Sequence, residues 1–151
     1  MARQYNFPVI LHSRGAEEIA LKECVDVGVT KAIFHCYTGP FDIAQAIISE
    51  QFHLSFSGIV TFKKSTLEKI IEYIPLEKMH IETDTPYLSP VPFRGKKNEP
   101  SRVSVIGEYI AKVKGCTEQH LSSHLYKNAQ AMFNFDFQSR AQPGKGGKTC
   151  G

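Results

Sequence analysis

The feature that most constrains the fold of this chain is a fourfold alternation of short apolar runs with segments of helical periodicity. The apolar runs cover residues 8–12, 31–36, 52–56 and 79–83. After the first two runs come apolar residues at helical spacing, over residues 16–28 and 42–50. This order is typical of βα units with a parallel sheet. We therefore predict an α/β fold with about four parallel strands, forming either an open sheet or part of a barrel.

Three more helices are predicted downstream. Ser65 to Glu68 has capping-box spacing and leads into an apolar stripe that ends at Ile74. Residues 103–114 and 117–133 carry similar stripes, and Gly115 separates them. The glycine-rich residues at the end of the chain have no apolar periodicity. We expect one domain over residues 1–135 and a disordered tail over residues 136–151.

Composition narrows the class of protein without deciding its function. A chain of 151 residues with 42% hydrophobic residues suits one globular domain. No apolar run approaches the roughly 20 residues of a membrane helix, and the four cysteines form no C-x-x-C pair. We expect a soluble cytoplasmic protein with free thiols and no membrane partner. The formal net charge of +3 permits an anionic partner but does not require one.

Three of the four predicted strands end on a potential metal ligand. These residues are His12, His35 and Asp84. In parallel α/β folds the loops at the carboxyl ends of the strands converge on one ligand site. Two imidazoles and a carboxylate could therefore meet there around one divalent cation. The alternative is that each histidine is half-buried and hydrogen-bonded for purely structural reasons.

The remaining polar residues near these strands allow more than one interpretation. Strand periodicity puts His80 and Glu82 on the same face as Asp84, which makes Glu82 a hydrogen-bond acceptor for a metal ligand or a simple salt-bridge residue. His53 begins a strand and is predicted to be structural or exposed. His120 and His124 have i, i+4 spacing but lack the glutamate of H-E-x-x-H, which favours a solvated helix face.

A proline-bounded loop over residues 92–100 carries three cations beside the predicted metal site. Arginine and lysine that contact phosphate oxygens position a nucleic acid without reading its sequence. The loop could therefore hold phosphate groups. An ordinary solvated loop is the alternative.

Five motifs occur in an order that resembles the TatD family of metal-dependent deoxyribonucleases. They are PVILHSR at residues 8–14, HCYTG at 35–39, FSGIVTFK at 56–63, ETDTPYL at 82–88 and RGKKNEP at 94–100. Together they cover roughly residues 5–135. Phe93 departs from the pattern, because many members of that family have histidine there.

The resemblance implies a partial TIM-type (β/α)8 barrel whose divalent metal ions, either magnesium, manganese or zinc, support hydrolysis of DNA phosphodiester bonds, typically as an exonuclease. DNA is then the expected substrate and partner. By this match His12, His35 and Asp84 are metal ligands, and Glu82 and Asp84 belong to the catalytic E-T-D triplet. The residues expected to contact the substrate are Arg94, Lys96, Asn98 and Glu99.

The same resemblance implies that part of the site is missing. The family's H-x-H pair and its G-E-x-G-L-D strand do not occur in this sequence. We therefore expect the C-terminal half of a barrel, a truncated form with reduced or no activity, and a possible homodimer through its open sheet edges. The alternatives are an inactive DNA-binding or interaction module and a related hydrolase of small molecules.

Overall fold

Four short strands form one parallel sheet in the computed structural model, which describes residues 2–134. The strands are Val9–Leu11 (β1), Ala32–Phe34 (β2), His53–Phe56 (β3) and Met79–Ile81 (β4). They are hydrogen-bonded in chain order, and each pair is parallel. The predicted α/β class with four parallel strands is confirmed. The predicted tail over residues 136–151 lies outside the described residues.

Helices alternate with these strands. They are Ala2–Tyr5 (α1), Glu17–Asp26 (α2), Phe41–Ser49 (α3), Glu68–Tyr73 (α4), Val103–Lys114 (α5) and Glu118–Phe133 (α6). Single 3-10 turns cover Gly58–Thr61, Leu76–Lys78 and Pro100–Arg102. Gly115 ends α5 in the left-handed conformation with φ 64°, and the Thr117 side chain caps α6 by accepting from the His120 N–H.

Helix α4 is shorter than its apolar stripe predicts. It covers Glu68–Tyr73, whereas the predicted stripe begins at Leu67 and ends at Ile74. The Ser65 hydroxyl accepts a hydrogen bond from the Leu67 N–H at 3.3 Å, so Ser65 lies in a local turn ahead of the helix. At the other end Ile74 has ψ 129° ahead of Pro75, because a residue before proline is disfavoured in the helical conformation.

One face of the sheet packs against the helices and forms the core. Phe34, Leu54, Phe56 and Met79 point to this side and are buried among helix residues such as Ile106. Complete burial of one such side chain contributes about 1.5–3 kcal/mol. The helices therefore fix the orientation of all four strands, and with it the level at which each strand ends.

The opposite face of the sheet is polar and partly open. Strand periodicity places Ile10, His35, Ser55 and Glu82 on this side, opposite the core residues. Ile10 is 58% exposed although it lies in the middle of β1. Among the described residues β1 and β4 each pair with a strand on one side only.

A pair of histidines lies at the other end of this polar face. His53 Nδ1 and His80 Nε2 are 3.0 Å apart, so His53 is structural, which is one of its two predicted roles. Burial lowers the pKa of His53 to about 3 and that of His80 to about 4. Both rings are therefore neutral at neutral pH.

On α6 the rings of His120 and His124 are in contact and tilted by 52° to each other. Their centroids are 4.5 Å apart, and His124 Nε2 lies 3.5 Å from Glu77 Oε1. His120 is exposed. This arrangement agrees with the predicted helix surface.

Two other sequence expectations concern membranes and thiols. Within residues 2–134 every helix is too short or too polar to cross a bilayer. Cys24, Cys36 and Cys116 are free thiols, as predicted. Cys150 lies outside the described residues.

Candidate metal centre

Backbone hydrogen bonds carry the sheet ladder one residue past the strand ends and bring the polar side chains together. The His35 N–H donates to the Leu11 carbonyl at 2.9 Å, and the Glu82 N–H donates to the Phe56 carbonyl at 2.9 Å. These bonds place His35 and Glu82 at the same level on the carboxyl edge of the sheet. This is the edge at which parallel α/β proteins bind their ligands.

His35 lies between two carboxylates. Its Nδ1 is 2.5 Å from Glu82 Oε2, and its Nε2 is 3.6 Å from Asp84 Oδ1. Glu82 is an acceptor for the Nδ1 proton when it is ionised, which leaves the Nε2 lone pair directed towards Asp84. Glu82 is thus a hydrogen-bond partner of a candidate ligand, one of the two roles expected from strand periodicity.

His12 completes the group from the neighbouring edge strand. Its ring centroid lies 5.6 Å from that of His35, with an angle of 36° between the ring planes. His12 is exposed, since it follows β1 and has no strand on its other side in the described part of the chain. The sheet therefore places His12 beside His35, and His35 beside Asp84.

The three side chains are neighbours rather than a closed coordination cluster. No three His, Cys, Asp or Glu side chains between residues 2 and 134 are close enough together to hold a metal ion. His35 and Asp84 are adjacent, but His12 follows the edge strand β1 and does not close the group. The described residues therefore offer three candidate ligands but not a closed coordination site.

The donor atoms fit a divalent cation. Histidines that bind metals usually donate their other N–H to a carboxylate, which is the arrangement of His35 and Glu82. Glu82 Oε1 is buried and has no hydrogen-bond partner among the described residues, a costly state for a carboxylate oxygen. Two imidazoles and a carboxylate are ligands that suit zinc or manganese.

Burial dominates the electrostatics of Glu82. Loss of solvent raises the pKa of this carboxyl, while His35 and the Ser55 hydroxyl oppose the shift and Asp84 adds to it. A cation beside this group would favour its ionised form. The neighbouring carboxylates of Glu82 and Asp84 repel each other, and a metal ion between them would offset this repulsion.

Two residues of the site have backbone conformations that are rare for side chains with a Cβ atom. Asp84 has φ 55°, and Cys36, which follows His35, has φ 49°. Such left-handed residues cost free energy and occur often at functional sites. The strain redirects the chain at the end of β2 and after β4, where it presents His35 and Asp84.

Residues 92–100 form a loop, the rim loop, that contacts the backbone on both sides of Asp84 through Asn98. The Arg94 guanidinium lies over the Phe62 ring at 3.7 Å from its centroid, and Lys96 is exposed. Glu99 is exposed and forms an ion pair with Arg102, at 3.2 Å between Oε1 and Nη2. Arg102 also lies over Phe93, at 4.5 Å from the ring centroid, so the aromatic residue at this position supports the loop.

Asn98, which the match of motifs predicted as a substrate contact, is buried and hydrogen-bonded within the protein. It is 1% exposed, and its Nδ2 donates to the carbonyls of Thr83 and Tyr87, both at 2.7 Å. Its Oδ1 accepts from the Glu99 N–H at 2.9 Å. Asn98 therefore holds the backbone on both sides of Asp84, and its role is to position that residue.

Sequence reasoning missed a small group beneath His35. The Cys36 thiol lies 3.1 Å from the Ser57 hydroxyl, and Arg14 Nη2 is 3.9 Å from Cys36 Sγ. Burial is the main cause that raises the pKa of the Cys36 thiol, so it remains protonated. The motifs at residues 8–14, 35–39 and 56–63 each supply one of these residues, but only the fold reveals their contact.

A cleft of about 480 Å³ opens beside this group, between the loops that follow β1 and β2. Arg14, Glu17 and Gly39 are among the residues that line it. Glu17 is buried, and its Oε1 accepts from the Gly15 N–H at 3.2 Å. A buried acid was not predictable here, because Glu17 lies in the polar first turn of α2.

Known proteins resemble this chain in both sequence and fold. The family model described as TatD related DNase matches residues 1–134. The chain is 38% identical to the uncharacterized metal-dependent hydrolase YabD of Bacillus subtilis, over 90% of this chain and 54% of that protein. It is 37% identical to the uncharacterized metal-dependent hydrolase YcfH of Escherichia coli, over 90% of this chain and 52% of that protein.

The solved structure of YJJV, a TatD homologue from Escherichia coli, shares the fold. It superposes with a TM-score of 0.83 at 22% identity, over 89% of this chain and 53% of that one. This match confirms the predicted partial TIM-type barrel. The chain spans about half the length of the curated relatives that it matches. From the family model and these relatives together, we conclude that the chain belongs to the TatD family.

Proposed function

We propose that this chain carries part of the active site of a metal-dependent hydrolase that cleaves phosphodiester bonds in DNA. The observation that supports the proposal most directly is the position of His35 between Glu82 and Asp84, with His12 beside it. The family model is described as TatD related DNase, and the two curated relatives are named as metal-dependent hydrolases. Exonuclease polarity and a cytoplasmic location stay predictions of the sequence.

His12, His35 and Asp84 would hold the divalent ion, which we propose to be magnesium, manganese or zinc. When bound, such an ion polarises a phosphoryl oxygen and lowers the pKa of water at the site. Glu82 keeps the Nδ1 proton of His35 in place, so that Nε2 remains the donor atom. Asp84 is the proposed catalytic carboxylate, because it is adjacent to Nε2 and partly exposed.

Residues of the rim loop would hold the substrate. Arg94 and Lys96 are exposed cations that follow Asp84 by 10 and 12 residues, and they suit phosphate oxygens. Glu99 is a weaker candidate, since its carboxylate pairs with Arg102 and would repel phosphate. Asn98 contributes indirectly by fixing the backbone at Thr83 and Tyr87.

A nuclease assay with the purified chain tests this function. Labelled single-stranded DNA is incubated with magnesium, manganese or zinc, and parallel reactions contain EDTA. We expect cleavage that depends on the metal and falls at least about 100-fold in Asp84→Ala, because the variant removes a ligand. Asp26→Ala, at the exposed end of α2, is the matched control and should retain activity.

A second candidate function is a binding module without catalysis. The open coordination of His12, His35 and Asp84 favours this candidate, because residues 2–134 contain no closed metal cluster. DNA binding that is insensitive to EDTA, with no cleavage in any metal by a folded protein, would support it. The same result would contradict the nuclease proposal for this chain.

We also propose that the chain forms a homodimer through its open sheet edges. Strands β1 and β4 pair on one side only in the described residues, and Ile10 is largely exposed on the polar face. Open strand edges and exposed apolar side chains favour association. Light scattering across a range of concentrations should give the mass of two chains. A monomer at all concentrations would contradict this proposal.

A further inference from the structure

The loop that follows β3 contains a second basic segment at the same edge of the sheet. The 3-10 turn Gly58–Thr61 leads directly into Phe62, Lys63 and Lys64. Both lysines are exposed, while Phe62 is half-buried. Because consecutive Cα atoms are about 3.8 Å apart, the two lysines begin within about 8 Å of Phe62. This segment had no predicted role in substrate binding.

Three contacts hold this segment beside the rim loop. The Arg94 guanidinium stacks on the Phe62 ring at 3.7 Å. The Val91 N–H donates to the Thr61 hydroxyl at 2.9 Å. Gly58 lies so close to the Leu88 carbonyl that a Cβ atom at Gly58 would be 2.0 Å from its oxygen. The two loops are thus parts of one surface, although about 30 residues separate them in the chain.

The combined surface concentrates positive charge. Residues 62–64 and 94–97 contain five cations, namely Lys63, Lys64, Arg94, Lys96 and Lys97, and no acidic residue. The whole chain has 18 basic and 15 acidic residues and a formal net charge of +3. Without these five cations, the rest of the chain has more acidic than basic residues. Charges within about 8–10 Å of one another are not fully screened at physiological salt, so the surface favours a polyanion.

An exposed aromatic ring indicates which polyanion suits this surface. Tyr87 is 71% exposed and lies three residues after Asp84. Its backbone is fixed at both ends, since its N–H donates to the Asp84 carbonyl and its carbonyl accepts from Asn98. An exposed aromatic side chain together with a row of cations is the combination with which proteins bind single-stranded nucleic acids. A duplex has no free base face to offer.

We infer that Lys63, Lys64, Arg94, Lys96 and Lys97 bind the phosphate backbone of one nucleic acid strand, while Tyr87 stacks on an unpaired base. The inference rests on the proposed function, because the strand would lead to the group around His35 and Asp84. Arg94 is oriented by Phe62 and keeps its N–H groups for phosphate oxygens. The basic segment after β3 extends the substrate site beyond the rim loop.

Binding measured without catalysis tests this surface. The full chain is titrated into a fluorescein-labelled 15-nucleotide oligo-dT in EDTA, and fluorescence anisotropy is followed at several salt concentrations. We expect Lys63→Ala/Lys64→Ala to weaken binding at least about tenfold and to lower the salt slope by about 1.4, which corresponds to two lost phosphate contacts. The control Lys22→Ala/Lys127→Ala removes the same charge at two exposed positions elsewhere and should leave the slope unchanged.

Two further variants in the same titration identify which ligand the surface binds. Phe62→Leu keeps an apolar side chain without a ring and should weaken binding by releasing Arg94. Tyr87→Ala should weaken binding of oligo-dT but not of inorganic polyphosphate, which has no bases. Equal binding of oligo-dT, duplex DNA and polyphosphate, with no effect of Tyr87→Ala, would overturn the assignment to a single strand.

The two proposals fail in different ways. Unchanged oligo-dT binding by Lys63→Ala/Lys64→Ala, with circular dichroism showing an intact fold, overturns the inferred surface whatever the nuclease assay shows. Loss of binding in that variant, together with a wild-type chain that cleaves nothing, supports the surface and contradicts only the hydrolase.

Discussion

Replacing Gly58 with alanine should destabilise the fold and displace the substrate loops. A Cβ atom at this position would lie 2.0 Å from the Leu88 oxygen and 3.0 Å from the Pro90 nitrogen. Both atoms belong to the backbone, so no side-chain rotation relieves the overlap. The Leu88 carbonyl would have to retreat by about 1 Å or more, and forced repacking of this kind costs about 1–3 kcal/mol.

Gly107→Ala is the matched control, because it makes the same chemical change inside α5. Its Cβ atom would meet only the Ile81 Cδ1 at 3.7 Å, an ordinary contact. Alanine in a helix is favoured over glycine by about 1 kcal/mol. The two substitutions should therefore shift the free energy of unfolding in opposite directions, with a difference of about 2–4 kcal/mol between them.

Urea unfolding followed by circular dichroism measures this difference. The midpoint should fall for Gly58→Ala and rise for Gly107→Ala, with similar slopes for both. Binding of oligo-dT should weaken in Gly58→Ala alone, since the turn at Gly58 supports the contact between Phe62 and Arg94. A Gly58→Ala variant as stable as wild type, with unchanged DNA binding, would refute the reasoning that this close approach joins the two loops.

Two further predictions concern buried polar groups. The neutral pair His53 and His80 should make folding pH-dependent, because an unfolded histidine titrates near pH 6.5 and burial lowers the folded pKa to about 3 and about 4. Stability is then full above about pH 6.5 and falls as the pH drops towards 4, by about 1 kcal/mol for His80 between pH 7.5 and 5.5. The variant His53→Phe/His80→Leu should lose this part of the dependence in urea titrations at the two pH values, and a dependence equal to wild type would contradict the assignment. Asn98→Ala removes three side-chain hydrogen bonds and should lower the free energy of unfolding by about 2–3 kcal/mol. A shift of the urea midpoint no larger than that of an exposed alanine substitution would contradict its positioning role.

Local signals in the sequence were sufficient for most of the secondary structure. The apolar stripe and Gly115 predicted α5 with its observed bounds, Val103–Lys114, because helix periodicity and a left-handed C-terminal residue depend only on neighbours in the chain. The strands are shorter than predicted, as for β2, which covers Ala32–Phe34. Apolar runs reveal which residues are buried but not where the hydrogen-bond ladder stops.

Contacts between distant segments were not predictable in this way. The pair His53 and His80 is formed by residues 27 positions apart, and strand periodicity alone placed only His80 on the polar face. The match of motifs placed Asn98 at the substrate, but its amide donates to carbonyls 11 and 15 residues away. The positions of His35 and Asp84 at the ends of strands predicted that they are neighbours, whereas the position of Glu82 against Nδ1 of His35 required the fold.

The order of the strands has a consequence for how the chain folds during synthesis. Val9 pairs with Ala32, Ile33 with His53 and Leu54 with Met79, so paired residues are 23, 20 and 25 positions apart. Each new strand meets its partner as soon as the intervening helix has left the ribosome. The loops to be closed are short, and closing a short loop costs little entropy. The described sheet can therefore grow vectorially, one βα unit at a time, with each new strand added at the edge formed by the strand before it.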